Sequence, residues 1–190
     1  MISGRSLAMR YGDRSVFRNV DVELADGELL LVTGPNGSGK TTLLRVLAGL
    51  AAPTGGEVRG PERQRVGYLG HEPLVYRELT PLENLTLFAR LYRLPERGER
   101  VGMLLERFGL WDVRHARVST FSRGMQQRLG LCRVLLHEPE LLLLDEPYNA
   151  LDAEGATLLD GIFEEPRTWV IATHEPQRVD RYATELLAFA

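Results

Sequence analysis

The sequence predicts an α/β fold in which a buried parallel strand hands the chain to a phosphate-binding loop and then to a helix. Three observations predict it. Residues 29–32, LLLV, are a short all-apolar run of the kind shown by a parallel strand covered on both faces. The stretch GPNGSGKTT follows directly over residues 34–42 and fits G-x-x-x-x-G-K-[ST]. A second apolar run, Leu141 to Leu144, ends in two acids, Asp145 and Glu146, and α/β sheets place ligand chemistry at that end of a strand.

The loop residues have separable tasks. The glycines Gly34, Gly37 and Gly39 let backbone N–H groups converge on an anion, with Pro35, Asn36 and Ser38 completing the cradle. Lys40 adds a compact charge for phosphate oxygens, and the Thr41 hydroxyl, with Thr42 beside it, offers a hard oxygen to Mg²⁺. Apolar residues Leu43, Leu44, Val46, Leu47 and Leu50 then recur at helical spacing. Of 23 Lys plus Arg residues, 22 are Arg, and the single lysine is Lys40. A point charge on a flexible stem fits inside a ring of amides where a planar guanidinium does not.

Composition bounds the rest. One core, with room for a subdomain, suits 190 residues that are 44% hydrophobic and 26% charged. A net charge of −3 speaks against a general nucleic-acid binder. No apolar run approaches the roughly 18 residues of a membrane span, so any membrane part is expected on another chain. The single cysteine, Cys132, excludes an intrachain disulfide and reads as a small buried apolar residue in a cytoplasmic protein.

From Ile2 to Leu31 the pattern is strand-like, with a turn at Tyr11-Gly12-Asp13 and alternation of Val20, Val22 and Leu24 with polar neighbours. Asp26-Gly27 reads as a hairpin turn before the buried strand. Tyr11 is open to two readings, a base-stacking aromatic or a core or turn tyrosine. Val66 to Leu69 reads as another strand. From Pro73 to about Arg133 the chain reads as mainly helical, starting near Pro81 and interrupted at Pro95. One apolar stripe is Leu82, Leu85, Phe88 or Ala89, and Tyr92; another is Val101, Leu104, Leu105 and Phe108. The apolar side chains of 73–92, among them Leu74, Val75, Tyr76 and Leu79, are expected mostly in the core, with a partner-helix surface as the alternative. The expected division is a nucleotide-binding core over 1–72 and 134–190 and a helical subdomain over 73–133. A further strand, Thr168 to Ala172, ends in Thr173-His174, and TELLAFA over 184–190 is strand-like.

Asp145 is the natural partner of Mg²⁺, Glu146 is placed to orient or deprotonate a water, and His174 can bond a γ-phosphate or that water. With Phe121-Ser122-Arg123-Gly124-Met125-Gln126-Gln127-Arg128 between them, these elements resemble the nucleotide-binding domain of ATP-binding cassette (ABC) proteins over nearly the whole chain. The resemblance implies a P-loop NTPase with a RecA-like core, an N-terminal antiparallel β subdomain and a helical subdomain. Ser122 and Gly124 then match the signature that touches the γ-phosphate held by a second copy. Asn149-Ala150-Leu151-Asp152 matches the loop at the dimer interface, His174 the switch histidine and Tyr11 the adenine-stacking aromatic. The implied activity is MgATP hydrolysis by a homodimer, or a heterodimer with a related domain, coupled to integral membrane transport subunits at the cytoplasmic face of the membrane.

The departures are specific. Phe121, Arg123 and Met125 replace residues of the usual LSGGQ, and the family's glutamine after the Val66–Leu69 strand is replaced in Tyr68-Leu69-Gly70-His71-Glu72. Mg²⁺ prefers oxygen, so either His71 reaches the metal's water or the γ-phosphate, or Glu72 supplies the oxygen. Within the family, the YLGHE and FSRGM forms most resemble the ATP-binding subunit of the haem exporter used in cytochrome c maturation. Drug-, lipid- and ion-exporting subunits and non-transport ABC ATPases are the alternatives.

Overall fold

A computed structural model describes residues 1–189, and the chain divides into two compact units. The first gathers residues 1–68, 140–146 and 166–190, of which Ala190 lies outside the described residues; the second gathers 69–139 and 147–165.

In the first unit, β1 (Ile2–Tyr11) and β2 (Arg14–Leu24) form an antiparallel hairpin, with Tyr11 facing Arg14 across the turn at Gly12 and Asp13. Gly12 takes φ 57, the left-handed value such a two-residue turn requires. β4 (Gly55–Arg59) pairs antiparallel on the other side of β1. The Asp26-Gly27 turn makes no hairpin, because β3 (Leu29–Thr33) joins a different sheet. That five-stranded sheet runs β5 (Val66–Leu69), β6 (Leu141–Asp145), β7 (Thr168–Ala172), β3, β8 (Glu185–Ala188). The neighbours β6–β7, β7–β3 and β3–β8 are parallel. β6 and β7 are buried at every position, which explains their unbroken apolar runs. Helix α1 (Lys40–Leu47) buries Leu43, Leu44, Val46 and Leu47 in the core formed with β1, β2 and the parallel strands, and Leu50 lies beyond it, exposed.

The second unit is helical: α2 (Pro81–Leu91), α3 (Arg97–Arg107), α4 (Arg123–Leu135) and α5 (Ala153–Phe163). The expected helical span of 73–133 falls within it, and α5 groups with it as well. Thr80 caps α2 with a reciprocal box, its hydroxyl accepting from Glu83 N–H and Glu83 accepting from Thr80 N–H, with Pro81 in the first turn. Those bonds, the backbone one first, hold the Glu83 carboxyl below the usual range. The stripe Val101, Leu104, Leu105, Phe108 is fully buried. The α2 stripe is displaced: the buried positions are Pro81, Asn84, Leu85 and Ala89, while Tyr92 is exposed. Leu74 and Tyr76 are exposed, at 59% and 53%, and Val75, Leu79, Leu82 and Phe88 only half-buried, so the expectation that this segment is mostly core fails. Cys132 is buried, its thiol donating to Leu104 O, and burial pushes its pKa up, as befits an inert packing residue.

Candidate functional site

Strand register assembles the site in the first unit. Val32 lies level with Ala172, and Ala172 with Asp145, so three adjacent parallel strands end in one row. Whatever follows each strand therefore meets beyond their carboxyl ends: the loop at 34–39, Glu146, and Thr173-His174.

The loop is shaped by positions where only glycine serves. Gly34 has φ 142, and a Cβ there would stand 2.7 Å from Phe189 O; Gly39 has φ 112, and its Cβ would stand 2.9 Å from Val16. Lys40 is 6% exposed and donates to Gly34 O at 2.7 Å and Pro35 O at 3.2 Å, curling the loop around its ammonium. Ser38 Oγ is buried without a hydrogen-bond partner among the described residues. A buried hydroxyl in a ring of amides and one ammonium matches a phosphate group, which supplies acceptors to all of them.

Thr41 and Asp145 lie 104 residues apart in sequence, and the Thr41 hydroxyl donates to Asp145 Oδ2 at 2.7 Å. A hydroxyl and a buried carboxylate side by side are two hard oxygens, suited to Mg²⁺, which commonly takes one or two protein oxygens and completes its shell from phosphate and water. Burial, and after it the Asp145 charge, push the Tyr68 phenol up, against an opposing influence from Arg45. Glu146 follows in the left-handed region, φ 51, with its N–H donating to Ala172 O at 2.8 Å. Its Oε2 lies 2.8 Å from His174 Nδ1 and 3.1 Å from Thr173 Oγ1. Lys40, Thr41, Asp145, Glu146 and His174 are thus brought together at one end of the sheet. Tyr11 closes β1 beside the Gly12-Asp13 turn and is 53% exposed, so it is not a core tyrosine, and its place fits both the turn and the stacking readings.

The remaining predicted residues belong to the second unit. Ser122 caps α4, accepting from Met125 N–H at 3.2 Å. Gly124 is buried where a Cβ would stand 2.8 Å from Ala150 O, so the absent side chain admits the 149–152 segment against the start of α4. Asp152 caps α5 through Gly155 N–H and also receives Arg128, a buried guanidinium that contacts Glu154 and Phe108 O as well. The sequence reading passed over this Arg128 link between α4 and α5, and its signal was an arginine inside an apolar helix. His71 and Glu72 are exposed in the bend after β5.

Residues 17–149 match the family model described as ABC transporter. An uncharacterized ABC transporter ATP-binding protein, YxlF of Bacillus subtilis, is 41% identical over 162 residues, 82% of this chain and 55% of that protein. The chain thus spans about half the length of that relative. The cytochrome c biogenesis ATP-binding export protein CcmA of Rhizobium meliloti is 39% identical over 189 residues, 92% of this chain and 91% of that protein. Among solved structures, a dimeric post-hydrolysis state of the ATP-binding cassette MJ0796, bound to ADP and Pi, superposes with TM-score 0.87 at 26% identity, covering 100% of this chain and 94% of that one.

Proposed function

The chain belongs to the ABC transporter family, and from that premise we propose that it binds and hydrolyses ATP to drive export through separate membrane-spanning subunits, with haem export for cytochrome c maturation as the route. The observation that carries the ATPase reading is the Thr41–Asp145 hydrogen bond of 2.7 Å beside the buried Lys40. It joins the phosphate loop to the acidic strand as metal-assisted phosphoryl transfer requires.

The loop amides and Lys40 hold the phosphates of ATP. Thr41 and Asp145 would hold Mg²⁺, which would supply charge neutralisation for the triphosphate. Glu146 takes the proton of the attacking water, and His174, its imidazole already beside that carboxylate and half exposed, steadies the γ-phosphate. Tyr11 stacks on the adenine. Positioning and charge neutralisation supply most of the rate. The second half of each site is Ser122, with the amides around Gly124, from another copy of the domain. His71 and Glu72 stand in the sequence where the family carries its glutamine, and one of them would take over its role.

Among the described residues no helix is long and apolar enough to cross a membrane. A protein of this kind works at the cytoplasmic face of a membrane through partners that do cross it. The FSRGM and YLGHE forms, and the CcmA relative matched over 91% of its length, support the haem route. Co-purification from membranes in mild detergent, followed by MgATPase assay of the complex, tests the proposal. A stoichiometric multi-span partner and haem-stimulated turnover are expected; a purified protein with no MgATP turnover in any such complex overturns the ATPase reading.

A further inference from the structure

Every hydrogen bond drawn to the Glu146 carboxylate reaches one oxygen. Thr173 Oγ1 stands 3.1 Å, His174 N 3.3 Å and His174 Nδ1 2.8 Å from Oε2, and no donor among the described residues reaches Oε1. The imidazole contact depends on its tautomer and on a side chain that is 46% exposed. The hydroxyl contact depends on neither. Thr173 is 2% exposed, its N–H is tied to Val32 O at 3.1 Å, and its β-branched side chain is stiff. Its Oγ1 accepts from Glu175 N–H at 3.0 Å, and its single hydrogen can only be given to a carboxylate that has none.

We infer that Thr173 is a positioning residue that anchors Glu146 through Oε2 and so leaves Oε1 to receive the proton of the attacking water. The inference rests on the reading of Glu146 as the base. In that step the O–H pair of water goes into the new bond to the γ-phosphorus as the proton moves to Oε1. The bond from γ-phosphorus to the bridging oxygen breaks with its electrons, which leave on ADP. Glu146 sits in a left-handed backbone conformation that does not by itself fix the side chain, and His174 has a second task. Among the described residues Thr173 is the side chain that, with the His174 N–H, keeps the base in place while the imidazole serves the nucleotide.

Steady-state MgATPase of the purified protein tests this with Thr173→Val, which keeps shape and loses the donor, and Thr173→Ser, which keeps the donor. Loss of a hydrogen bond to a charged group predicts that Thr173→Val lowers kcat about tenfold or more with KM for ATP within about twofold, and that Thr173→Ser restores it to within about threefold. In a Glu146→Gln background Thr173→Val should cost nothing further, since the two act as a unit. If Thr173→Val does not fold, Thr173→Ala carries the same comparison. A valine variant within about twofold of the parent, equal losses in both backgrounds, or no rescue by serine overturns the inference. Near-normal turnover in Glu146→Gln overturns the base reading instead, which separates the two failures.

Discussion

Lys40 is the residue at which charge alone is the wrong description. The residue is 6% exposed, and its ammonium lies 2.7 Å from Gly34 O and 3.2 Å from Pro35 O, closed in by the loop's own carbonyls. A guanidinium keeps the charge but is wide and planar, a shape that does not fit where carbonyls close on a compact ammonium. Lys40→Arg is therefore expected to weaken ATP binding by about tenfold or more, close to the loss in Lys40→Ala, as read by fluorescent-nucleotide titration. An arginine variant with parental affinity would reduce the lysine to a generic cation. This part of the site was legible from the sequence, because the loop motif, the acid pair and the lone lysine each carry chemistry in the residue type itself. Thr173 was not, since a threonine after a strand says nothing until the register of β3, β6 and β7 sets it against Glu146. The Arg128 bond to Asp152 escaped for the same reason, being fixed by how α4 meets the start of α5.

At the scale of elements, α2 shows where pattern reading stops. Its buried row passes through Asn84, which is fully buried and donates to Tyr76 O at 2.9 Å and Thr80 O at 3.0 Å while accepting from Tyr76 N–H at 2.8 Å. Apolar counting places the stripe on Leu82 and Tyr92 because an asparagine scores as surface, yet this one ties the 74–80 segment to the helix. That segment follows an irregular path, so Leu74 and Tyr76 lie exposed despite their apolar character. The Asp26-Gly27 turn misled similarly: its dipeptide promises a hairpin, but β3 has buried parallel partners that β2 cannot offer. The magnitudes are testable. Thr80→Ala removes one cap, at about 1 kcal/mol, whereas Asn84→Ala leaves Tyr76 N–H without its partner, takes one of two donors from Tyr76 O and Thr80 O, and empties a fully buried position, together about 1–3 kcal/mol. In urea unfolding Asn84→Ala should be the more destabilised by a clear margin. Equal losses would mean that water satisfies the Tyr76 backbone without the asparagine.

For the whole molecule, the proposal separates two half-sites by unit: the phosphate loop, acids and His174 in the first, and the serine-capped α4 with the 149–152 segment in the second. If two copies complete each other's sites, hydrolysis requires encounter, and turnover per protomer should rise with protein concentration before levelling off. Slowing the chemical step then holds the pair together. A general base contributes about 10²–10⁴-fold, so Glu146→Gln is expected to lose turnover in that range while retaining ATP affinity. With the nucleotide intact between them, its protomers should elute as a dimer in MgATP and as a monomer without it, by light scattering after size exclusion. Ser122→Arg in the same background should abolish that dimer, because it puts a long charged side chain on the capped start of α4 that is proposed to meet the neighbour. A Glu146→Gln protein that stays monomeric at saturating MgATP, or turnover strictly proportional to protein at every concentration, would place the complete site within one copy.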